Sequence, residues 1–335
     1  MRVIFLGTGA FGEPALEALL AAGHEVVGVV SQPDRAAGRG LATRPTPIHV
    51  AADRLRLRHV QTADANALDL VGEFGGADVG VVVAFGQKLG PALLASLPRG
   101  CVNLHGSLLP KYRGAAPIQW AILSGEATTG VTVFQITAGW DAGPIWATRE
   151  TPIGATETAD ELHDRLAVLG GELMIDALAR IAAGESPTPQ DAARATRAPK
   201  LSRADRVVDW AQPARAVVRR IHGLWSWPCA TGVLVTGGGR RETVQLARAC
   251  VVEAAHCDER APQVDADPPT VGRPSDSGRI APGAFAADLS VETGAGRVRL
   301  MEVKPAGGKL MSFAAYANGR RIAAGDRLES PDESA

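Results

Sequence analysis

The feature that most constrains this 335-residue chain is an alternation of two patterns in its first half. Short, almost uninterrupted apolar runs (RVIFL, EVVGVV, DVGVVVAF, GCVNLH and TGVTVFQI) are separated by stretches of helical periodicity (PALEALLAAG, TPIHVAADRL and PIQWAILSG). A strand that is apolar at every position has both faces buried, and helices on both sides of a mostly parallel sheet supply that burial. The pattern predicts an α/β domain closed by a long helix over 159–183. Composition then shifts. The stretch GESPTPQDAARATRAPKLSR is rich in Pro, Thr, Ser and charge, as a linker is. After it come a short helix, PARAVVRRIHGL, and strands separated by glycine turns: ATGVLVT, ETVQLARACVVE, AFAADLSVE and GRVRLMEVK. These predict a smaller antiparallel β-barrel or sandwich. The expected division is a first domain over 1–185, a basic linker over 186–205 and a second domain over 206–330. A Pro-rich acidic stretch, 253–281, reads as a solvated insert with no assigned function.

Bulk properties exclude several classes. The formal net charge is −1, so no global basic field marks the chain for nucleic acid or membrane, although local patches remain open. Glu13 and Glu17 interrupt the apolar N-terminal stretch, and no run approaches the ~18 uncharged apolar residues that span a bilayer. Cys101, Cys229, Cys250 and Cys257 show no C-x-x-C pairing and no zinc-like spacing with histidine. The expectation is a cytoplasmic protein with reduced thiols, no metal and no membrane partner.

The stretch LGTGAFG, after the first apolar run, matches G-x-G-x-x-G and opens a helix. A dinucleotide site also needs an acid about 20 residues on, at the end of the second strand, to hold the ribose hydroxyls. Here EVVGVV ends at Ser31, and Asp34 falls later, in a loop with Arg35, Arg39 and Arg44. No nicotinamide or flavin dinucleotide is therefore expected.

The informative segment is 100–145. Asn103 and His105 alternate with apolar residues at a strand end, so both point to one side. They lie at the carboxyl edge of the sheet, where open α/β folds place their ligands. Asp141 follows in GWDAG, a turn flanked by glycines. An amide, an imidazole and a carboxylate suit acyl chemistry: Asn donates to a developing oxyanion, His moves a proton, and Asp fixes the His tautomer. No serine or cysteine sits in a nucleophile elbow, which favours direct transfer to an amine over a covalent intermediate.

These segments resemble the methionyl-tRNA formyltransferase family along nearly the whole chain. The resemblance is carried by SQPDRAAGRG with TPIHVAA, VVVAFGQKL, NLHGSLLPKYRGAAPIQWAILSGE, TGVTVFQITAGWDAGPI, PKLSRADRVVDW and KPAGGKLMSF. It implies a Rossmann-like N-terminal domain that carries folate, and a C-terminal OB-like barrel that binds tRNA. The co-substrate would be 10-formyltetrahydrofolate, and the acceptor initiator methionyl-tRNA. The catalytic Asn, His and Asp would be Asn103, His105 and Asp141. The folate turn would be Ser107, Leu108, Leu109 and Pro110, with the backbone around Phe85, Gly86 and Gln87 receiving the pterin. Arg39 would be the cation of the loop that enters the acceptor stem. The chain departs from the family pattern at Gly9, where proline is usual, and at Trp120 and Trp140.

The tRNA reading draws on charge as well. Between Arg194 and Arg220 there are eight basic residues against two acids, and Lys304 and Lys309 lie in the C-terminal segment. Lys200, Arg203, Lys304 and Lys309 are the expected phosphate contacts beside Arg39. A sugar-nucleotide N-formyltransferase or a formyltetrahydrofolate hydrolase would share the catalytic trio, but neither needs the basic linker. A dinucleotide-binding regulator would rest on LGTGAFG alone. The chain is expected to act as a monomer.

Overall fold

The computed structural model describes residues 1–37, 42–252 and 281–331. Arg39, Cys257 and nearly all of the acidic stretch 253–281 lie outside the described residues. Two compact units emerge: Met1–Pro117 with Thr129–Thr151 and His163–Pro199, and Ile118–Thr128 with Pro152–Leu162 and Lys200–Ala335.

The first unit is built on β1 (Arg2–Gly7), β2 (Glu25–Ser31), β3 (His59–Gln61), β4 (Val79–Val83), β5 (Cys101–His105), β6 (Thr128–Gln135) and β7 (Ile145–Pro152). Their order is β7-β6-β5-β4-β1-β2-β3. The run from β5 to β3 is parallel, and β6 returns antiparallel beside β5. Burial explains the uninterrupted apolar strands: Val3, Ile4, Phe5 and Leu6 are all fully enclosed, as are Val79, Val81 and Val83. Helices α1 (Glu13–Ala21), α2 (Pro47–Arg54) and most of α4 (Ala159–Ala182) belong to this unit, whereas α3 (Pro117–Ser124) falls almost wholly in the second; all four follow the predicted segments closely. On α4, a β-carbon added at Gly170 would stand 2.5 Å from a methyl of Leu104 in β5. That glycine lets the helix seat tightly against the strand that carries Asn103 and His105.

The glycines of LGTGAFG serve packing. A β-carbon at Gly7 would lie 2.5 Å from the Phe5 ring, and one at Gly12 would meet Ile48 and Phe5 at 3.2 Å. Gly9 is extended, with φ −83° and ψ 161°, and donates its N–H to the Ala84 carbonyl. Asp34 is engaged internally: its carboxylate accepts from Thr46 N and Gln61 Nε2 and faces His49 Nδ1 at 3.0 Å. It ties the base of the loop to α2, and the His49 bond holds its carboxyl below the usual range.

The second unit contains α5 (Ala214–Leu224), β8 (Thr231–Val235), β9 (Arg241–Val252), β10 (Val291–Glu292), β11 (Arg297–Pro305), β12 (Met311–Ser312), α6 (Phe313–Arg320) and β13 (Arg327–Glu329). The strands run antiparallel in the order β10-β11-β9-β8-β13, with β12 on β11. Ala284 bridges to Arg327 on one side and the adjacent Phe285 bridges to Val291 on the other, so these two residues link the edge strands into a nearly closed barrel. Arg248 on β9 binds Glu161 and Glu302 by its guanidinium and donates to the Thr156 carbonyl. Those bonds gather the 152–162 segment into this unit, away from the boundary that composition alone predicts. Among the described residues, no helix is long and apolar enough to cross a membrane.

Candidate active site

Strand β5 lies between β4 and β6, with Asn103 opposite Phe134 and His105 opposite Thr132 on the antiparallel side. Period two places both side chains on one face, as the alternation predicts. The Asn103 amide is half-buried and, among the described residues, makes no side-chain hydrogen bond. It is a donor held ready at a strand end. His105 is 6% exposed, and burial pushes its imidazole below the ordinary range against the opposing pull of Asp141 and of its own bond to Tyr112.

The segment after β5 folds back under its own hydrogen bonds. Ser107 Oγ donates to the Lys111 carbonyl, and Thr132 Oγ1 donates to the Ser107 carbonyl. Leu109 N donates to Thr132 Oγ1, and the Leu109–Pro110 peptide is cis. The fold brings the Tyr112 carbonyl 2.9 Å from His105 Nε2. A carbonyl carries no proton, so Nε2 must, and in the neutral ring Nδ1 holds the lone pair.

Asp141 occupies the turn between β6 and β7 with φ +47°, a left-handed conformation that aspartate tolerates better than most residues. Its Oδ2 accepts from Gly114 N at 2.8 Å and stands 3.9 Å from His105 Nδ1. That separation is too long for a hydrogen bond. The expectation that Asp141 fixes the tautomer is therefore corrected: the Tyr112 carbonyl does so, and the carboxylate acts on Nδ1 through charge. Gly143 is required in the same turn, because a β-carbon there would overlap the Gln135 carbonyl at 1.8 Å.

The other predicted residues divide by what already occupies them. Ser107 is fully buried with its hydroxyl committed to the turn, Leu109 is buried, and Leu108 and Pro110 are half-buried. The Phe85 ring joins the core while its carbonyl accepts from Thr8 Oγ1 and Gln32 Nε2. Gly86 has φ +75° with Gln32 against it, and the Gln87 amide bridges Ala65 N and the Thr62 carbonyl. The Gln87 amide and the Phe85 carbonyl are thus engaged in holding this loop together. In the second unit Lys200, Arg203 and Lys309 are exposed and Lys304 is half-buried. Arg39, as noted, is outside the described residues.

Residues 1–178 match the family described as Formyl transferase, and residues 200–321 match Formyl transferase, C-terminal domain. The methionyl-tRNA formyltransferase of Heliobacterium modesticaldum is 42% identical over 338 residues, spanning 98% of this chain and 100% of its own length. The chain belongs to the methionyl-tRNA formyltransferase family. The enzyme of that name from Solibacter usitatus is 40% identical, with 98% of each chain covered. Among solved structures, HypX from Aquifex aeolicus, in complex with tetrahydrofolic acid, superposes with a TM-score of 0.60 at 19% identity. That match covers 95% of this chain and 47% of HypX. An N-formyltransferase from Helicobacter canadensis, crystallised with folinic acid and dTDP-3-aminofucose, gives 0.56 at 16% identity, covering 75% of this chain and 88% of its own. At those identities the likeness is one of fold.

In this member of the formyltransferase family, sequence reasoning misses the residues that hold His105 and Asp141 in place. Gln190 donates from Nε2 to the carbonyls of Asp141 and Gly143, and its Oε1 accepts from Arg113. Thr196 Oγ1 accepts from Tyr112 N. Neither carries a sequence signal, because each acts on main chain far away in the sequence and sits in a stretch that reads as linker.

Proposed function

We propose that this chain transfers the formyl group of 10-formyltetrahydrofolate to the α-amine of initiator methionyl-tRNA, and that Asn103, His105 and Asp141 perform the transfer. The observation that carries the reading is the geometry at the end of β5: an uncommitted Asn103 amide, and beside it an imidazole whose Nδ1 lone pair faces the Asp141 carboxylate. The α-amine, with an unperturbed pKa of ~7.7–8.0, attacks as its free base, and a nitrogen–carbon bond forms to the formyl carbon. Asn103 Nδ2 donates to the oxyanion that develops. His105 Nδ1 takes the proton released by the amine, and Asp141 stabilises the resulting imidazolium. The carbon–N10 bond of the folate then breaks, and the proton passes to N10. Atoms and charge balance without a covalent enzyme intermediate.

Folate recognition falls on Ser107, Leu108, Leu109 and Pro110 and on the backbone of Phe85, Gly86 and Gln87, which border the same sheet edge. Contact with tRNA falls on Arg39, Lys200, Arg203, Lys304 and Lys309. The domain roles follow: catalysis and folate in 1–185, a basic linker in 186–205, and a tRNA-binding barrel in 206–330. Arg297 and Arg299 face Asp288, and Arg320 grips Glu242 with two bonds of 2.8 Å, so those cations serve the barrel itself. The chain is taken to act as a monomer. The aminoacyl-tRNA acceptor and the free thiols of Cys101 and Cys229 favour the cytoplasm.

The test is a formyl-transfer assay with 10-formyltetrahydrofolate and three acceptors: initiator methionyl-tRNA, elongator methionyl-tRNA and amino-sugar nucleotides. Transfer to initiator methionyl-tRNA is the expected result. Preference for an amino sugar, or release of formate without an acceptor, would replace the reading.

A further inference from the structure

We propose that the stretch 190–198 is a positioning strap that holds the His105 and Asp141 side chains in place, with Gln190 and Thr196 as its working residues. The proposal rests on the formyl-transfer reading for its kinetic consequence only.

Three sets of bonds meet on this strap. Gln190 Nε2 donates to the Asp141 carbonyl at 2.9 Å and to the Gly143 carbonyl at 2.7 Å, closing the turn that carries the carboxylate. Its Oε1 accepts from Arg113 Nε and Nη2, so the amide orientation is set by a neighbour that can only donate. Thr196 Oγ1 accepts from Tyr112 N at 2.8 Å, on the residue whose carbonyl holds His105 Nε2. Arg197 and Ala198 pair in parallel with Arg113 and Gly114, and Gly114 N is the donor to Asp141 Oδ2. The strap runs closely here, since a β-carbon on Gly114 would stand 2.4 Å from the Ala198 carbonyl.

Both members of the His105–Asp141 pair therefore reach the strap through a single intervening residue. His105 reaches it through Tyr112, and Asp141 through Gly114 and directly through Gln190. The carboxylate sits on a left-handed turn residue; the two bonds from Gln190 fix the main chain of that turn, and the bond from Gly114 N fixes the carboxylate itself. Displacing a catalytic group by about 1 Å can cost ~10²-fold in rate. Gln190 and Thr196 touch no reacting atom, and their effect must appear in turnover and in the state of the imidazole.

The experiment compares Gln190→Ala, Gln190→Glu, Thr196→Val and Thr196→Ser in the full-length protein. Gln190→Glu keeps an acceptor for Arg113 but loses both donors to the turn, whereas Thr196→Ser keeps the hydroxyl. Expected are a tenfold or larger fall in kcat for Gln190→Ala, Gln190→Glu and Thr196→Val, KM for both substrates within about twofold, and recovery in Thr196→Ser. In ¹⁵N-histidine-labelled protein without substrate, His105 should show protonated Nε2 in the wild type and mixed tautomers in Thr196→Val. Turnover within twofold of wild type in both Gln190→Ala and Thr196→Val, with an unchanged imidazole spectrum, overturns the strap. Equal losses in Thr196→Ser and Thr196→Val overturn it too. If the wild type fails to formylate methionyl-tRNA, the substrate reading falls while the tautomer measurement still decides the strap. Thr196→Val settles the question even if Gln190→Ala melts too low to assay.

Discussion

His105 Nε2 meets the Tyr112 carbonyl at 2.9 Å, and that bond, made to main chain, decides which imidazole nitrogen can accept a proton. Nδ1 is left as the base, directed toward a carboxylate that stands close enough to attract a proton there and too far to bind it. The arrangement gives a neutral, buried histidine whose conjugate acid has a waiting counter-ion. Such an environment suits a group that must take up a proton briefly and pass it on.

On the proposed mechanism, Asn103→Ala and His105→Ala should each lower kcat by roughly 10² or more, because both would act on charge present only in the transition state. The melting temperature of Asn103→Ala should stay close to wild type, since the Asn103 amide makes no internal bond among the described residues, whereas His105→Ala gives up a buried ring and its bond to the Tyr112 carbonyl and should melt lower. Steady-state kinetics on purified, folded variants checks this. Near-wild-type turnover in either would remove that residue from the mechanism.

Asp141→Asn tests the electrostatic role directly. Burial lowers the His105 pKa, and the Asp141 charge is the largest influence raising it. Removing that charge should move the imidazole titration to still lower pH, measured by NMR on the labelled protein. An unmoved or raised value would show that the carboxylate does not act on His105.

Gly7 and Gly9 should behave oppositely, which separates packing from ligand approach. A β-carbon at Gly9 would find the Ala84 β-carbon at 3.4 Å, an ordinary contact, and the residue is already extended. Gly9→Ala should leave stability within about 0.5 kcal/mol of wild type, as a substitution without overpacking does. Gly7→Ala drives a methyl to 2.5 Å from the Phe5 ring and should cost about 1–3 kcal/mol. Denaturant unfolding gives both values, and equal effects would refute the packing account. Calorimetry with a nicotinamide dinucleotide should show no saturable binding.

His222 predicts an acid-sensitive barrel. Its Nε2 accepts from Ala249 N at 3.1 Å, and burial lowers its pKa to about 4. The unfolded imidazole titrates near 6.5, so between these values the unfolded state binds the extra proton. The neutral ring's contribution is thus complete above pH ~6.5 and declines as pH falls toward 4, by up to about 3 kcal/mol. His222→Gln, whose carbonyl can accept the same N–H, should flatten that decline. A stability curve equally steep in the variant would assign the acid sensitivity to other groups.

Legibility follows the physics of each feature. Buried parallel strands must be apolar throughout, so β1, β4 and β5 stand out, and period two alone places Asn103 and His105 together. Asp141 is marked by its glycine neighbours, although the left-handed residue is the aspartate and Gly143 is there for close approach. The tautomer of His105 is not legible, because its partner is a carbonyl, which every residue possesses. Gln190 and Thr196 are hidden in a stretch whose composition signals a linker, since two side-chain bonds and a two-residue ladder leave no period in sequence. The short edge β13 is equally silent, whereas AFAADLSVE, which reads as one strand, divides into isolated bridges at Ala284 and Phe285 and the short β10 at Val291–Glu292.

The cations of the linker and the barrel should separate by what they already hold. Lys200, Arg203 and Lys309 are exposed, whereas Arg320 is committed to Glu242 through two bonds of 2.8 Å. A phosphate contact on duplex RNA or DNA releases counterions, lowering the slope of log affinity against log salt by about 0.9 for each cation removed. Combining Lys200→Ala with Arg203→Ala should weaken tRNA binding and flatten that slope by nearly 2 if both contact duplex phosphates. Lys309→Ala should flatten it by nearly 1. Arg320→Ala should leave the slope unchanged, with any loss appearing as reduced thermal stability because Glu242 would lose two bonds and keep its contact with Arg240. Binding is measured by fluorescence titration with initiator methionyl-tRNA across a salt series, after melting curves have verified each fold. If the Lys200 and Arg203 variant keeps the wild-type slope while Arg320→Ala reduces it, the tRNA surface lies on the ion-paired face, and the exposed run is only solvated.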